Sequence, residues 1–318
     1  MIDIPLEKFE EAKQFLKKRR LHTPLVFLDS NIHAALGNSI YLKAECLQPS
    51  GSFKIRGATY CLSLLSPKQK EMGIIAYSTG NHSQAVALAA RSFGIKATIV
   101  MSPEALPFKV EATKSYGAHV IMTSPQERKK LAEELAHKHG YYLIPPFDHP
   151  DIIAGQGTIG LEILDEIEPA AVFVPIGGGG LISGIAMAIK KMKSFVKIIG
   201  VEADLEDDAF RTFQSGKLIS MPGPSSSIAD AIKIPSLGEI TYPIVKRYVD
   251  DITTVNEQQI IDATLMTLER GHLLVEPSGA LALAAALVYK KQIDPKKPII
   301  CLASGGNVLL PTICNLKI

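Results

Sequence analysis

The chain has 318 residues, with 34 Lys+Arg against 32 Asp+Glu and a formal net charge of +2. That balance excludes a strong electrostatic footprint for nucleic acid. With 47% hydrophobic and 21% charged residues it is not a disordered chain, and it can bury a sizeable core. The first 20 residues mix acids and bases from Asp3 onward and hold no apolar run of secretory-signal length, so export is not expected. The longest uncharged run, Pro169 to Ile189, contains Pro175 and four consecutive glycines, so it reads as strand, loop and helix and not as a membrane span. Cys46, Cys61, Cys301 and Cys314 show no CxxC spacing and the eight histidines are scattered. Reduced core thiols in a cytoplasmic protein are expected, with no Cys/His metal pattern.

An amphipathic pattern over Pro5–Arg19 predicts the first helix, after which apolar runs and helical patterns alternate. Strands are predicted at Ser39–Ala44, Gly73–Tyr77, Ala97–Met101, His119–Met122, Ala171–Val174, Lys197–Val201 and Pro298–Leu302. Helices are predicted at Phe53–Leu65, Ser83–Ser92, Phe108–Ser115, Gln126–Lys138, Thr158–Glu166, Leu181–Met192, Glu257–Glu269 and Ser278–Tyr289. The alternation is the signature of an α/β protein with open twisted sheets. Met221–Ser227 reads as an irregular loop, and Pro145–Pro150 is the clearest composition break.

Three glycine-rich loops follow predicted strands: Ser78–His82, Gly177–Gly180 and Ser304–Asn307. Loops at the carboxyl ends of strands are where open α/β sheets bind ligands. The first two open into helices, whose free N–H groups and positive dipole end favour anions, so two anionic groups are expected. Tight turns with packing glycines are the structural alternative. Gly155, Gly157 and Gly160 match G-x-G-x-x-G, but the residues before them are too few for the strand a dinucleotide fingerprint needs, and a closely packed helix is expected there instead.

Leu47–Gly57 places Lys54 just inside a helix after a small-residue turn, flanked by Phe53 and Arg56. Taken with His22–Leu25, Ser50–Ala58, Ser78–Gln84, Ile153–Thr158, Gly177–Leu181, Glu276–Ala280 and Ser304–Asn307, all in order, the chain resembles the fold-type II pyridoxal-phosphate enzymes. Within them it is most similar to the threonine/serine dehydratase and serine racemase group. The resemblance implies a two-domain α/β fold, with a large cofactor-binding domain from 1–65 and 149–318 and a small domain from 66–148.

It also implies a pyridoxal 5′-phosphate cofactor held by Lys54 as a Schiff base, with the released amine acting as base at Cα. Phe53 would lie near the ring, Asn81 at the 3′-oxygen, Gly177, Gly178, Gly179, Gly180 and Leu181 at the phosphate, and Ser304 at the pyridine nitrogen. Ser78, Thr79, Gly80, Asn81 and His82 would receive the substrate carboxylate. The implied reaction is loss of water from a β-hydroxy amino acid of the L-threonine or L-serine type, giving a 2-oxo acid and ammonia. Racemisation is the alternative: Thr79 stands where racemases of the group carry a serine base and typical dehydratases carry alanine. Phe147 resembles the dehydratase form of its loop, which ranks elimination first. Ala231 replaces a usual glycine and points to a β-hydroxy amino acid other than ordinary threonine or serine. A non-catalytic binder of the same fold is the remote rival, opposed by the intact Lys54.

Glu202, Glu206 and Asp208 offer oxygen ligands for a hard cation, with an acidic surface loop as the alternative reading. The resemblance implies Mg or Ca there, held by the Glu202 and Asp208 carboxylates, the backbone carbonyl of Glu206 and waters, and it implies a homodimer. The chain ends shortly after Asn307, so feedback through a C-terminal regulatory domain is not expected.

Overall fold

The computed structural model describes residues 2–29, 31–34, 37–221 and 226–316, so Pro222–Ser225 of the expected loop lie outside it. In chain order the elements begin α1 (Leu6–Lys18), β1 (Leu25–Phe27), β2 (Ile40–Lys43), α2 (Lys54–Ser63), α3 (Pro67–Met72), β3 (Ile74–Tyr77) and α4 (Asn81–Phe93). They continue β4 (Ala97–Met101), α5 (Pro107–Ser115), β5 (His119–Met122), α6 (Arg128–His139), β6 (Tyr142–Leu143), α7 (Pro150–Glu166), β7 (Ala171–Pro175) and α8 (Gly180–Met192). The rest are β8 (Lys197–Ala203), α9 (Asp208–Ser215), α10 (Thr241–Tyr248), β9 (Asp251–Val255), α11 (Glu257–Gly271), α12 (Pro277–Val288), β10 (Ile299–Leu302) and α13 (Leu310–Cys314).

The fold is α/β, as the alternation predicts. One sheet has the order β1-β2-β10-β7-β8-β9 and is parallel except where β1 pairs with β2; the other, β5-β4-β3-β6, is parallel throughout. Every residue of β7 (AVFVP) and β10 (IICL) is buried, which explains their unbroken apolar runs: helices cover both faces of a parallel sheet. The edge strand β1 instead leaves Phe27 exposed beside Tyr41. Two large apolar clusters form the core, one around the six-stranded sheet and one joining α1, α2, α4 and α7 to β3 and β4. The thiols depart from expectation: Cys61 and Cys301 are buried, but Cys46 is only partly covered and Cys314 is exposed.

The helix α7 begins eight residues before the expected Thr158. His149 caps it by accepting the Asp151 N–H at 3.2 Å, and Pro150 occupies the first turn, where its missing N–H costs nothing. Its glycines weaken it intrinsically but permit backbone contact with α2 and α8. A Cβ on Gly155 would lie 2.6 Å from Gly57 Cα, and one on Gly157 would lie 2.7 Å from the Gly184 carbonyl. Neither neighbour is a flexible side-chain tip. Gly155→Ala is therefore expected to destabilise the fold by about 1–3 kcal/mol through overpacking, read as a lower denaturant midpoint.

A charged cluster is buried where β2, α2 and α7 meet. Arg56, fully buried, donates from Nε to Glu45 Oε2 at 2.8 Å and from Nη2 to Glu45 Oε1 at 2.7 Å. It also donates to both oxygens of Glu162 at 2.6 and 2.8 Å and to Thr158 Oγ1 at 3.1 Å. Lys43 pairs with Glu162 at 2.8 Å, so two cations face two anions. Burial works against the charge on Arg56, but Glu45 and Glu162 more than offset it and hold the guanidinium above its ordinary pKa. Arg56, three residues from Phe53, is thus a structural centre.

Candidate active site

Four loops at the carboxyl ends of strands converge: the segment after β2 that leads into α2, the loop after β3, the glycines after β7 and the loop after β10. The first and last are stitched together by an isolated bridge between Ser52 and Gly305 and by the Phe53 N–H donating to the Ser304 carbonyl at 3.1 Å. The second joins them through Asn307, whose Nδ2 donates to Asn81 Oδ1 at 2.8 Å and to the Ser50 carbonyl at 2.9 Å.

Lys54 opens α2. Its Nζ donates to the Pro146 carbonyl at 2.7 Å and lies 5.2 Å from the centre of the Phe53 ring. Burial pulls the amine down to about 8, because no carboxylate compensates the lost hydration. It is a lysine that sheds its proton close to neutral pH.

Both expected anion sites are uncapped helix starts. At α8 the N-cap is Gly179 with φ 86°, a left-handed conformation that favours glycine, and no side chain takes the free N–H groups. The Gly178 carbonyl is turned away, accepting from Thr241 Oγ1 at 2.7 Å. Phe147 lies along this loop: a Cβ on Gly180 would fall 2.8 Å from Phe147 Cβ, and one on Gly178 would run into the ring. At α4 the N-cap is Gly80, again without a side-chain cap, and Ser78 and Thr79 precede it half-exposed.

His82 is buried, with Nε2 against the Ile144 carbonyl at 3.0 Å. A carbonyl only accepts, so Nε2 carries the proton. Burial and the nearby Lys54 push the ring down to about 3, leaving a neutral donor that anchors the loop. Asn81 donates to Glu276 Oε1 at 2.5 Å, which leaves one amide hydrogen for a ligand. The Ser304 hydroxyl has no protein partner among the described residues.

Other participants were not legible in the sequence. Lys109, on α5, is buried against Asp230 at 2.8 Å and Glu276 at 3.7 Å. Burial opposes its charge, yet those two acids raise its pKa, so it stays cationic beside Gly80. Arg128, at the start of α6, donates from Nη1 to Thr79 Oγ1 at 3.4 Å and from Nε to the Pro125 carbonyl at 3.2 Å. No carboxylate among the described residues lies within ion-pair distance of it. Ala231 is exposed, its N–H held by Ser278 Oγ at 2.9 Å.

The three acids expected to take a metal are all buried and close enough to act on one another: Asp208 adds to the upward push of burial on Glu202, as Glu206 does on Asp208. Glu202 caps α9 by accepting from Ala209 N at 3.2 Å and Phe210 N at 2.7 Å. Asp208 Oδ2 is buried without a partner, and burial followed by Glu206 pushes that carboxyl up to about 7.

These residues fit pyridoxal phosphate: a half-buried low-pKa amine, a glycine loop where side chains would collide, an uncapped helix for a phosphate and a free hydroxyl at Ser304. Residues 17–305 match the family model described as pyridoxal-phosphate dependent enzyme. The chain belongs to that family. It is 42% identical over 306 residues to the L-threo-3-hydroxyaspartate ammonia-lyase of Saccharomyces cerevisiae, covering 95% of this chain and 92% of the relative. It is 41% identical over 309 residues to the L-threonine ammonia-lyase of Thermotoga maritima, covering 96% and 76%. Among solved structures, maize serine racemase superposes with a TM-score of 0.93 at 37% identity, covering 98% of this chain and 96% of that one. Pyridoxal-phosphate enzymes of this fold type thus include eliminating and racemising relatives at similar distance from this chain.

Proposed function

We propose that the protein is a β-eliminating ammonia-lyase that converts a small β-hydroxy amino acid to a 2-oxo acid and ammonia. The observation that carries this reading is the Lys54 amine, at about 8, set between Phe53 and the Pro146 carbonyl near two uncapped helix starts. Pyridoxal phosphate, when bound, supplies the electron sink for charge at Cα. The N–H groups at the start of α8 hold its phosphate. Those at the start of α4, with the Lys109 charge behind them, hold the substrate carboxylate, and Lys54 takes the Cα proton. A water leaves from Cα and Cβ and a water is consumed in releasing ammonia, so the net change is amino acid to oxo acid plus ammonia.

Arg128 favours a second, narrower reading, in which the substrate carries a distal carboxylate, as 3-hydroxyaspartate does. A guanidinium near the carboxylate loop with no carboxylate at ion-pair distance among the described residues, and only Glu104 among the acids acting on it from further off, is a ready fork for a second carboxylate. Racemisation requires an acid–base group on the opposite face of the substrate, and Thr79, its hydroxyl held by Arg128, is the candidate. The unpartnered Asp208 oxygen supports a Mg or Ca site shared with the Glu202 carboxylate and the Glu206 backbone carbonyl. The two sheets support a large unit from 1–65 and 149–318 and a small one from 66–148. A cytoplasmic homodimer completes the reading; no described helix is long and apolar enough to cross a membrane.

One experiment tests these together. The holoenzyme, chelated and then assayed with or without Mg, is given L-threonine, L- and D-serine and L-threo-3-hydroxyaspartate while oxo acid and residual enantiomer are followed and the particle mass is read by light scattering. Oxo acid without the opposite enantiomer is expected. In Arg128→Met the KM for hydroxyaspartate should rise roughly 10- to 100-fold, the worth of a charged hydrogen bond, with serine little changed. Equal loss on both substrates would remove the acidic-substrate reading, and silence on all four would remove the lyase assignment. Opposite enantiomer lost in Thr79→Ala would make that hydroxyl the second base.

A further inference from the structure

Cys61, His149 and Asp151 bring a sulfur, a ring nitrogen and a carboxylate oxygen within 4.8 Å of one another. They stand on α2, at the N-cap of α7 and in its first turn. Sequence spacing hides the group, because Cys61 lies far from the other two. It stands apart from Glu202, Glu206 and Asp208.

Each member suits a metal. Cys61 is 1% exposed, and its thiol has no hydrogen-bond partner among the described residues. Burial and Asp151 push that thiol up to about 12, so it is not a free nucleophile, whereas a bound metal would itself displace the proton. Burial also holds His149 below its ordinary pKa and thus neutral, the form that ligates; Nδ1 now accepts the Asp151 N–H and Nε2 meets the Tyr142 hydroxyl, both at 3.2 Å, so the ion takes the place of one of these two weak contacts. Asp151 is paired with Lys8 of α1, a half-exposed side chain free to swing into solvent. A sulfur, nitrogen and oxygen set with a fourth position for water matches tetrahedral Zn²⁺ and not a hard cation, which wants more oxygens. Bonds of about 2.0–2.3 Å set ligands about 3.4–3.8 Å apart, so the side chains need close in only slightly.

We propose that Cys61, His149 and Asp151 form a binding site for Zn²⁺ or a similar thiophilic divalent ion. Binding forms a metal–thiolate bond, releases the Cys61 proton to solvent and frees the Lys8 ammonium from Asp151. The ion ties α2, which begins at Lys54, to the segment that carries the Pro146 carbonyl and Phe147. Asp148, between Phe147 and His149, accepts from the Ile240 and Thr241 N–H groups at 2.9 and 3.1 Å, and Thr241 in turn holds the glycine loop. The site therefore acts on the geometry around Lys54 without touching substrate.

The test is cobalt titration of chelated holoenzyme, read as a difference spectrum. One equivalent of Co²⁺ per chain should produce a thiolate charge-transfer band and strong tetrahedral visible bands, both erased by one equivalent of Zn²⁺. Cys61→Ser should lose the charge-transfer band, His149→Gln should weaken binding, and Lys8→Met should tighten it about two- to fivefold by removing a partly exposed competing ion pair. Zinc should also raise the melting temperature of the wild type but not of Cys61→Ser. Absence of the bands at one equivalent, or their persistence in Cys61→Ser and His149→Gln, would overturn the site and place any thiolate binding at Cys46 or Cys314.

Discussion

Lys54→Ala is expected to leave a folded, colourless protein whose elimination rate falls by at least about 10²–10⁴-fold, the loss of a positioned general base alone. On the proposed reading the cofactor anchor goes with it, so the measured loss should sit at or beyond the upper end. Lys54→Arg keeps a cation but lacks a group that condenses with an aldehyde, and it should be as inactive. The depressed pKa gives the effect a second, opposite face. Between about 8 and the ordinary lysine value near 10.4 the unfolded chain binds a proton that the folded one does not, so cofactor-free protein gains stability as pH rises through that window. Below 8 the penalty is fully present. Lys54→Met should therefore raise the melting temperature of the cofactor-free protein at pH 7 while abolishing turnover, and thermal scans of the two forms at pH 7 and 10 check the sign. A variant less stable than wild type at pH 7 would show that the amine is not desolvated as described.

Arg56→Met should cost about 3–5 kcal/mol of stability, the range for breaking a buried pair from one side. Glu45 would keep only the neutral donors Thr23 and Gln48, while Glu162 would retain Lys43. Urea denaturation at neutral pH measures the loss. Replacing Arg56, Glu45 and Glu162 together with apolar residues of similar volume should restore much of it, because the penalty lies in the stranded charges more than in the absent bonds. The cluster also gives the fold an acid limit. Burial alone would raise the Glu162 pKa, but Arg56 and Lys43 hold it below the usual carboxylate range. Its contribution is intact above about 4.3 and is lost as pH falls through the lower folded value.

The strands and helices that sequence pattern captures are those with dense apolar content, such as β7, β10 and α8. The missed ones have local reasons. β1 and β6 are three and two residues long, and β9 (DITTV) begins on an acid that accepts from the Tyr289 hydroxyl and pairs with Lys291 in space. The early start of α7 was hidden by glycines that disfavour a helix locally but fit it to its neighbours. Lys54 was legible because its motif is contiguous. Lys109, Asp230 and Glu276 were not, since three separate segments supply them. Arg128 was not either, because it heads a run of basic residues on α6 that reads as a solvated face.

The glycine seams on α7 bear on how the protein tolerates change. Through Gly155 against Gly57 and Gly157 against Gly184, one helix touches both α2, which starts at Lys54, and α8, which starts at the tetraglycine loop. The separation of those two starting points is then set by main chain meeting main chain, like a gauge block, and not by the bulk of side chains. Substitutions elsewhere in the core can accumulate without altering the span a cofactor must bridge, whereas a single methyl in either seam would change it at once.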